Sequence, residues 1–445
     1  MRKPSANAPA AEPVAPAELL ELFRLYGGFR RIALAVSGGS DSLALLHLSL
    51  AWRDGLAEAK PDFVVLTVDH GLRPEAAAEA QTVAAEAAKL GLECRVLTRT
   101  PTSATSGLQA SARTDRYRLL VDAARAWSAE ALVTAHTLDD QAETVLMRLA
   151  RGSGVDGLSA MAQHSQTGGL PLLRPLLGLS KARLQASLRA RGVTWLDDPS
   201  NLNLDFERPR LRAAMPSLAA GGLHPAALAR SARRLTRARA ALDNATSDAF
   251  RSLVSVNPSG YLSLLRPGFD ALPEEIRLRL LARLLAALGA AGQDIRLERL
   301  ERLVAELGTA SSAIRSLMGC IIEADPDTVL LFREPGRDGL PRVTVKPGET
   351  ILWDRRFRIC LAPDAGPVII RAPEPADMRG LLASATRTVA LSRAAVLAAP
   401  AAWRDNQLIA MPVVGLASRD VDMTCVLTVE DVLTATAADD SPREA

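Results

Sequence analysis

Short apolar runs alternate with longer stretches of helical periodicity through the first third of the chain. Ile32–Val36, Phe63–Val68, Cys94–Thr98 and Ala131–Ala135 are apolar runs of strand length. Between them, Leu43–Leu50 places Leu43, Leu46, His47 and Leu50 at helical spacing. Pro74 and Glu75 open an alanine-rich segment that runs to about Leu90, with Lys89 in its last turn and Gly91 as a stop. Leu108–Trp127, and a segment running through Leu149, complete the helical stretches. Strands alternating with helices predict an α/β fold, built from right-handed βαβ units around a parallel sheet. Ligands of such sheets bind beyond the carboxyl ends of the strands.

The first strand runs directly into Ser37-Gly38-Gly39-Ser40-Asp41-Ser42, and the first helix follows. A helix start offers unpaired N–H groups and the positive end of the dipole, which suits an anion. Gly38 and Gly39 allow close backbone approach, and Ser37, Ser40 and Ser42 add hydroxyl donors. The loop lacks the GxxxxGK[ST] spacing and its lysine. A carboxylate at Asp41, beside phosphates, calls for a cation between them, which points to Mg²⁺. The ordinary alternative is a Ser/Gly turn with Asp41 or Ser42 as a helix cap.

Other candidates lie on the same edge. His70 ends the second strand and suits either a nucleotide or metal contact or a plain turn hydrogen bond. Arg113, Arg116 and Tyr117 share one helix face, as a phosphate site or as a solvated surface paired with Asp115 or Asp122. After the fourth strand, His136 precedes Asp139, Asp140 and Glu143. Asp140 and Glu143 fall three apart on the first helical turn, so both carboxylates face one way. Together with Asp139 they carry more negative charge than a helix dipole asks for, and suit Mg²⁺ or an ammonium group. Asp198-Pro199-Ser200-Asn201 is a turn, and Arg208 and Arg212 beyond it could clamp phosphate or cap the domain.

Beyond Pro216, Gly221-Gly222 and Pro225 mark a linker, and residues 225–310 read as helical. Arg230, Arg233, Arg234 and Arg237 form one basic stripe there, a natural partner for RNA phosphates or else a solvated face. From about Ile321 the pattern turns to short strands at 329–332, 343–345, 350–353 and 357–361, broken by turn residues. Ala398–Leu416 is again strand-like, residues 1–17 read as a disordered tail, and Ala437–Ala445 as a frayed acidic one.

Composition narrows the function classes. Aromatic residues make up 4% of the chain, which argues against base recognition mainly by stacking. The net charge of +3 is compatible with an RNA partner without requiring one. Cys94, Cys320, Cys360 and Cys425 lie far apart with no CxxC, as expected of a reduced cytoplasmic protein without zinc or an iron–sulfur cluster. No stretch has the length of a transmembrane helix. The sequence leaves open whether the chain is a homodimer.

SGGSDS resembles the pyrophosphate loop of the N-type ATP pyrophosphatases, the PP-loop family, which cleave ATP between the α and β phosphates and adenylate a substrate. AHTLDDQAETVLMRLARGSGVDGLSAM, from Ala135 to Met161, is similar to the second signature of the tRNA(Ile)-lysidine synthetases, with Gly152, Gly154 and Gly157 matching RGSGxxG. The family's second adjacent histidine is replaced by Thr137, and the asparagine of its RNxxR run by Pro209. Arg174-Pro175-Leu176-Leu177 and the DPSN turn also match, so the likeness spans roughly residues 30–215.

The resemblance implies a Rossmann-like PP-loop domain over 18–216, a helical tRNA-binding domain over 222–318 and a β-rich C-terminal domain over 320–436. It further implies that ATP is held by residues 37–42 with His70 and Arg113. Asp41 would place Mg²⁺. Asp140 and Glu143 would receive the ammonium of free L-lysine or a metal, with His136 as a base. Arg208, Arg212 and the stripe from Arg230 to Arg237 would meet the tRNA. The implied reaction adenylates C2 of the wobble cytidine of the CAU-anticodon isoleucine tRNA. Lysine then displaces AMP, which changes the codon read from AUG to AUA. A tRNA thiolase of the same family is the other candidate. It would need catalytic or cluster-binding cysteines, and Cys94 stands alone in the first half.

Overall fold

The computed structural model describes residues 11–57, 60–69, 75–99, 108–196, 204–205, 207–289, 296–309, 312–336, 339–377, 392–416 and 423–428. Among these, residues up to Arg239 form one compact unit and residues from Ala240 onward a second.

The first unit is the expected α/β domain. A short helix, α1 (Leu19–Leu22), precedes β1 (Arg31–Ala35), and α2 (Ser40–Asp54) leads to β2 (Asp62–Asp69). Next come α3 (Glu75–Lys89), β3 (Glu93–Thr98), α4 (Leu108–Ala126), β4 (Ala131–Val133) and α5 (Leu138–Ala150). α6 (Val155–Leu158), β5 (His164–Thr167), β6 (Leu170–Leu173), α7 (Lys181–Arg189) and α8 (Glu207–Ala220) follow, and then α9 (Pro225–Leu253), whose residues from Ala240 onward belong to the second unit. The sheet order is β3-β2-β1-β4-β6-β5, parallel except for β5, which is antiparallel to β6.

Strands covered on both faces carry near-continuous apolar runs, and β1 has one from Ile32 to Ala35. Ile32 and Leu34 join the core with Leu45, Leu46 and Leu184, whereas Ala33 joins the opposite core with Tyr117, Leu120 and Ala124. The chain leaves β1 toward β2 on one side and returns as β4 on the other. Their carboxyl ends therefore flank a crevice at the reversal point of the strand order.

Several expectations are corrected. Val14, in the supposed tail, is 4% exposed, and its N–H donates to Ser187 Oγ at 2.8 Å. The hairpin of β5 and β6 was not expected; the strands are short, and Gly168 and Gly169, both at positive φ, turn it. α8 runs through Pro216 to Ala220, so a boundary at 216 falls inside a helix.

In the second unit, the segment expected to be helical contains a hairpin, β7 (Val254–Asn257) with β8 (Tyr261–Leu265). Then come α10 (Arg266–Asp270), α11 (Glu274–Leu288) and α12 (Leu297–Thr309). β9 (Ala313–Leu317), β10 (Cys320–Ala324) and β11 (Thr328–Arg333) complete a sheet of order β7-β8-β11-β10-β9. A domain boundary at 318–320 would cut the β9–β10 hairpin. The leucines of α11 close the core over Leu262, Leu264, Val329 and Leu331. The remaining strands, between Val343 and Leu427, form two small sheets around Trp353, Phe357, Ile359 and Ile370.

Candidate active site

The crevice between β1 and β4 is built from two strand-to-helix turns. At the first, Gly39 is the N-cap of α2, and no side chain caps the helix. The first-turn N–H groups of a fifteen-residue helix are thus left pointing at the crevice. Ser42 folds the loop back: its Oγ accepts from Ser37 N–H at 3.1 Å and donates to the Gly39 carbonyl at 3.0 Å. Gly38 has φ +86, and a Cβ there would lie 3.0 Å from Leu196 Cδ1 and 3.2 Å from Val83 Cγ2. Only glycine satisfies both conditions without strain.

Asp41 sits one residue into the helix. Burial pushes its carboxyl above the usual range and the nearby Asp140 and Asp139 add to this, while Lys181 and a hydrogen bond from Ser40 oppose it. Ser40 Oγ is 3.1 Å from Asp41 Oδ1, and Lys181 Nζ is 3.9 Å from Oδ2. Among the described residues no three His, Cys, Asp or Glu side chains converge as a metal site. One carboxylate beside a phosphate-binding loop still fits Mg²⁺, which binds through one or two carboxylates with substrate phosphates supplying further ligands.

At the second turn, Thr137 caps α5. Asp140 Oδ2 accepts from Thr137 N–H at 2.8 Å and from Thr137 Oγ1 at 2.9 Å. Burial alone would raise the Asp140 carboxyl, but His136, the two Thr137 bonds and Arg208 outweigh it and hold it below the ordinary value. Its Oδ1 faces Arg212 Nη2 at 3.7 Å. Glu143, one turn on, has a side chain only 3% exposed and accepts from Arg212 Nε at 2.5 Å and Nη2 at 3.2 Å. Burial raises the Glu143 carboxyl in spite of that pairing. The two acids therefore do face one way, and a cation, Arg212 of α8, sits on them. Asp139 turns aside, its Oδ2 accepting from the Lys181 N–H at 2.7 Å, where it helps to start α7.

His136 stands beside the acids, its Nδ1 3.0 Å from Thr134 Oγ1. Burial drives its protonation well below the ordinary range, with Asp140 resisting and Arg174, Arg113 and Arg116 adding to the effect. The floor of the crevice is a cavity of about 200 Å³, lined by Ser37, Asp41, Ser42, Arg116, Tyr117 and His136, with an apolar wall from Val36, Leu66, Val68 and Leu120. Arg116 and Tyr117 line it, and the guanidinium groups of Arg113 and Arg116 each lie 5.5 Å from the Tyr117 ring. Arg148 steadies the glycine turn after α5 by donating to the carbonyls of Gly157 at 2.7 Å and Ala160 at 3.1 Å.

Of the expected residues, the fold brings 37–42, His136, Asp140, Glu143 and Arg212 to one crevice, with Arg208 close enough to act electrostatically on both acids. Arg230, Arg233, Arg234 and Arg237 are exposed on α9. His70 and the DPSN turn lie outside the described residues. Arg116 and Tyr117, read from the sequence as part of a helix face that could bind phosphate, line the cavity; Lys181 was not singled out from the sequence. For Lys181 there was a signal: a lysine at the first position of a helix opposes the dipole and asks for a local acid.

Burial pushes Cys94 up to about 11, and Cys320 and Cys425 to about 12. All four cysteines are free.

Residues 13–218 match the family model of the PP-loop domain. A tRNA(Ile)-lysidine synthase of Bradyrhizobium sp. is 48% identical over 289 residues, which are 63% of this chain and 80% of the relative. That of Ruegeria pomeroyi is 39% identical over 394 residues, 87% of this chain and 90% of the relative. A solved U34-tRNA thiolase from Methanococcus maripaludis, with its [4Fe-4S] cluster, is 15% identical with a TM-score of 0.43, over 49% of this chain and 77% of that one. It gives no reason to prefer thiolation. With an uncapped anion loop, a buried acid pair and relatives matched over most of their length, the chain belongs to the tRNA(Ile)-lysidine synthase family.

Proposed function

We infer that the chain ligates free L-lysine to C2 of the wobble cytidine in the CAU-anticodon isoleucine tRNA, by way of an adenylated intermediate. One observation carries the reading. An uncapped helix start built for phosphates shares its crevice with a buried acid pair that already holds a cation. The two halves match the two substrates, one polyanionic and one cationic.

In the first step the loop N–H groups and the Ser37 and Ser40 hydroxyls hold the triphosphate. Negative charge that builds on the α phosphate, as the cytidine O2 attacks and pyrophosphate departs, meets dipoles already in place. Asp41 would hold Mg²⁺, which when bound offsets charge on the phosphate oxygens. Adenylation turns the C2 oxygen into a leaving group. In the second step Asp140 and Glu143 receive the lysine ammonium, and the Arg212 guanidinium has to give way to it. The amine must be neutral when it attacks. Glu143, its carboxyl raised by burial, is better matched to take that proton than His136.

The exposed arginines of α9 supply the electrostatic footprint for the tRNA backbone. Thiolation is the weaker alternative, since burial makes the thiols of Cys94, Cys320 and Cys425 hard to ionise. The test is AMP release from ATP, assayed with and without the tRNA and lysine. The reading expects release to depend on both; release indifferent to lysine would reject it.

A further inference from the structure

We propose that Leu196 is a positioning residue for the nucleotide loop: its backbone N–H latches the Gly38–Gly39 peptide so that the Gly39 N–H faces the triphosphate. This rests on the reading of residues 37–42 as the ATP site. Leu196 N–H donates to the Gly38 carbonyl at 3.0 Å. In a trans peptide the carbonyl of one residue and the N–H of the next point in opposite directions. A Gly38 carbonyl held toward Leu196 therefore turns the Gly39 N–H away from Leu196, toward the side where the α2 start lies open.

A Gly-Gly peptide has little of its own to resist a flip, because neither residue has a Cβ to exclude the other orientation. If the peptide flipped, a carbonyl oxygen would replace an N–H donor beside the phosphates, and attraction would become repulsion. The rest of the loop does not prevent this. Ser42 fixes Ser37 N–H and the Gly39 carbonyl, and neither belongs to the Gly38–Gly39 peptide. Leu196 itself is held at the end of a segment whose Val193 and Trp195 pack on the main core.

The test compares ATP binding by Leu196→Ala, which keeps the N–H, with Leu196→Pro, which lacks it, in the full chain. Losing one net hydrogen bond of this kind corresponds to about a fivefold to tenfold loss of affinity. Leu196→Ala is expected to bind ATP within about threefold of the parent. Leu196→Pro is expected to raise the ATP Kd and KM about tenfold, with kcat and the lysine KM little changed. Equal ATP affinity in the two variants, or a loss confined to kcat, overturns the latch. A parent chain that binds no ATP overturns the loop reading instead. Hydrogen exchange on the parent covers the case in which the proline variant does not fold. The Leu196 amide should exchange slowly and slow further when ATP is added. Fast exchange indifferent to ATP would also overturn the latch.

Discussion

Asp140→Asn separates the two halves of the proposed reaction. Asp140 Oδ2 accepts both Thr137 bonds, at 2.8 and 2.9 Å, and an asparagine oxygen can accept them as well. The cap of α5 is kept, and weakening two charge-assisted bonds to neutral ones costs about 1 kcal/mol. That is a shift of a few degrees in Tm at this size. What is lost is the charge. A unit charge about 4 Å from an ammonium is worth about 4 kcal/mol at an effective dielectric near 20. Asp140 is 16% exposed, so screening leaves roughly 2–3 kcal/mol, or about 30- to 150-fold. ATP binding should stay within about twofold, and tRNA-dependent pyrophosphate release should persist. Transfer of labelled lysine should fall by about that factor. Normal lysine transfer in the variant refutes the role of Asp140, and lost ATP binding would show that the two halves cannot be separated in this way.

Reversing Arg230, Arg233, Arg234 and Arg237 to Glu should weaken tRNA binding and make the slope of log K against log salt shallower by about 3, as measured by filter binding; an unchanged slope removes the stripe from the interface. Mg²⁺-dependent ATP affinity should fall with falling pH earlier than for an ordinary aspartate. Asp41 holds Mg²⁺ only when ionised, and its raised carboxyl takes up a proton at higher pH; Asp41→Asn should abolish that pH dependence in calorimetric titrations. Cys94→Ser should leave tRNA modification unchanged in a product nucleoside assay, whereas a sulfur-transfer enzyme relying on that thiol would lose activity.

The α/β domain was legible because strands buried on both faces carry continuous apolar runs, as β1 does over Ile32–Ala35 and β2 over Phe63–Leu66. The loop at 37–42 was legible because its parts are contiguous. The shared direction of Asp140 and Glu143 followed from helix geometry alone. What sits on them did not, since Arg212 lies 69 residues from Glu143 and arrives on a helix whose start carries Pro209. The family resemblance implied RNA contact for Arg212; in the fold its guanidinium pairs with Asp140 and Glu143. The β7–β8 hairpin was hidden by helices on both sides. Its turn signal, Asn257-Pro258-Ser259-Gly260, was present, and Asn257 Oδ1 accepts from Ser259 N–H at 2.9 Å. The pin from Leu196 to Gly38 is a backbone bond, which side-chain patterns do not reveal.

The most direct measurement is nucleoside analysis of the CAU-anticodon isoleucine tRNA after incubation with the protein, ATP and radiolabelled lysine. The account predicts label in the wobble nucleoside, with AMP and pyrophosphate formed in step with it. Unlabelled tRNA, in a reaction where the protein binds ATP and tRNA, would contradict it.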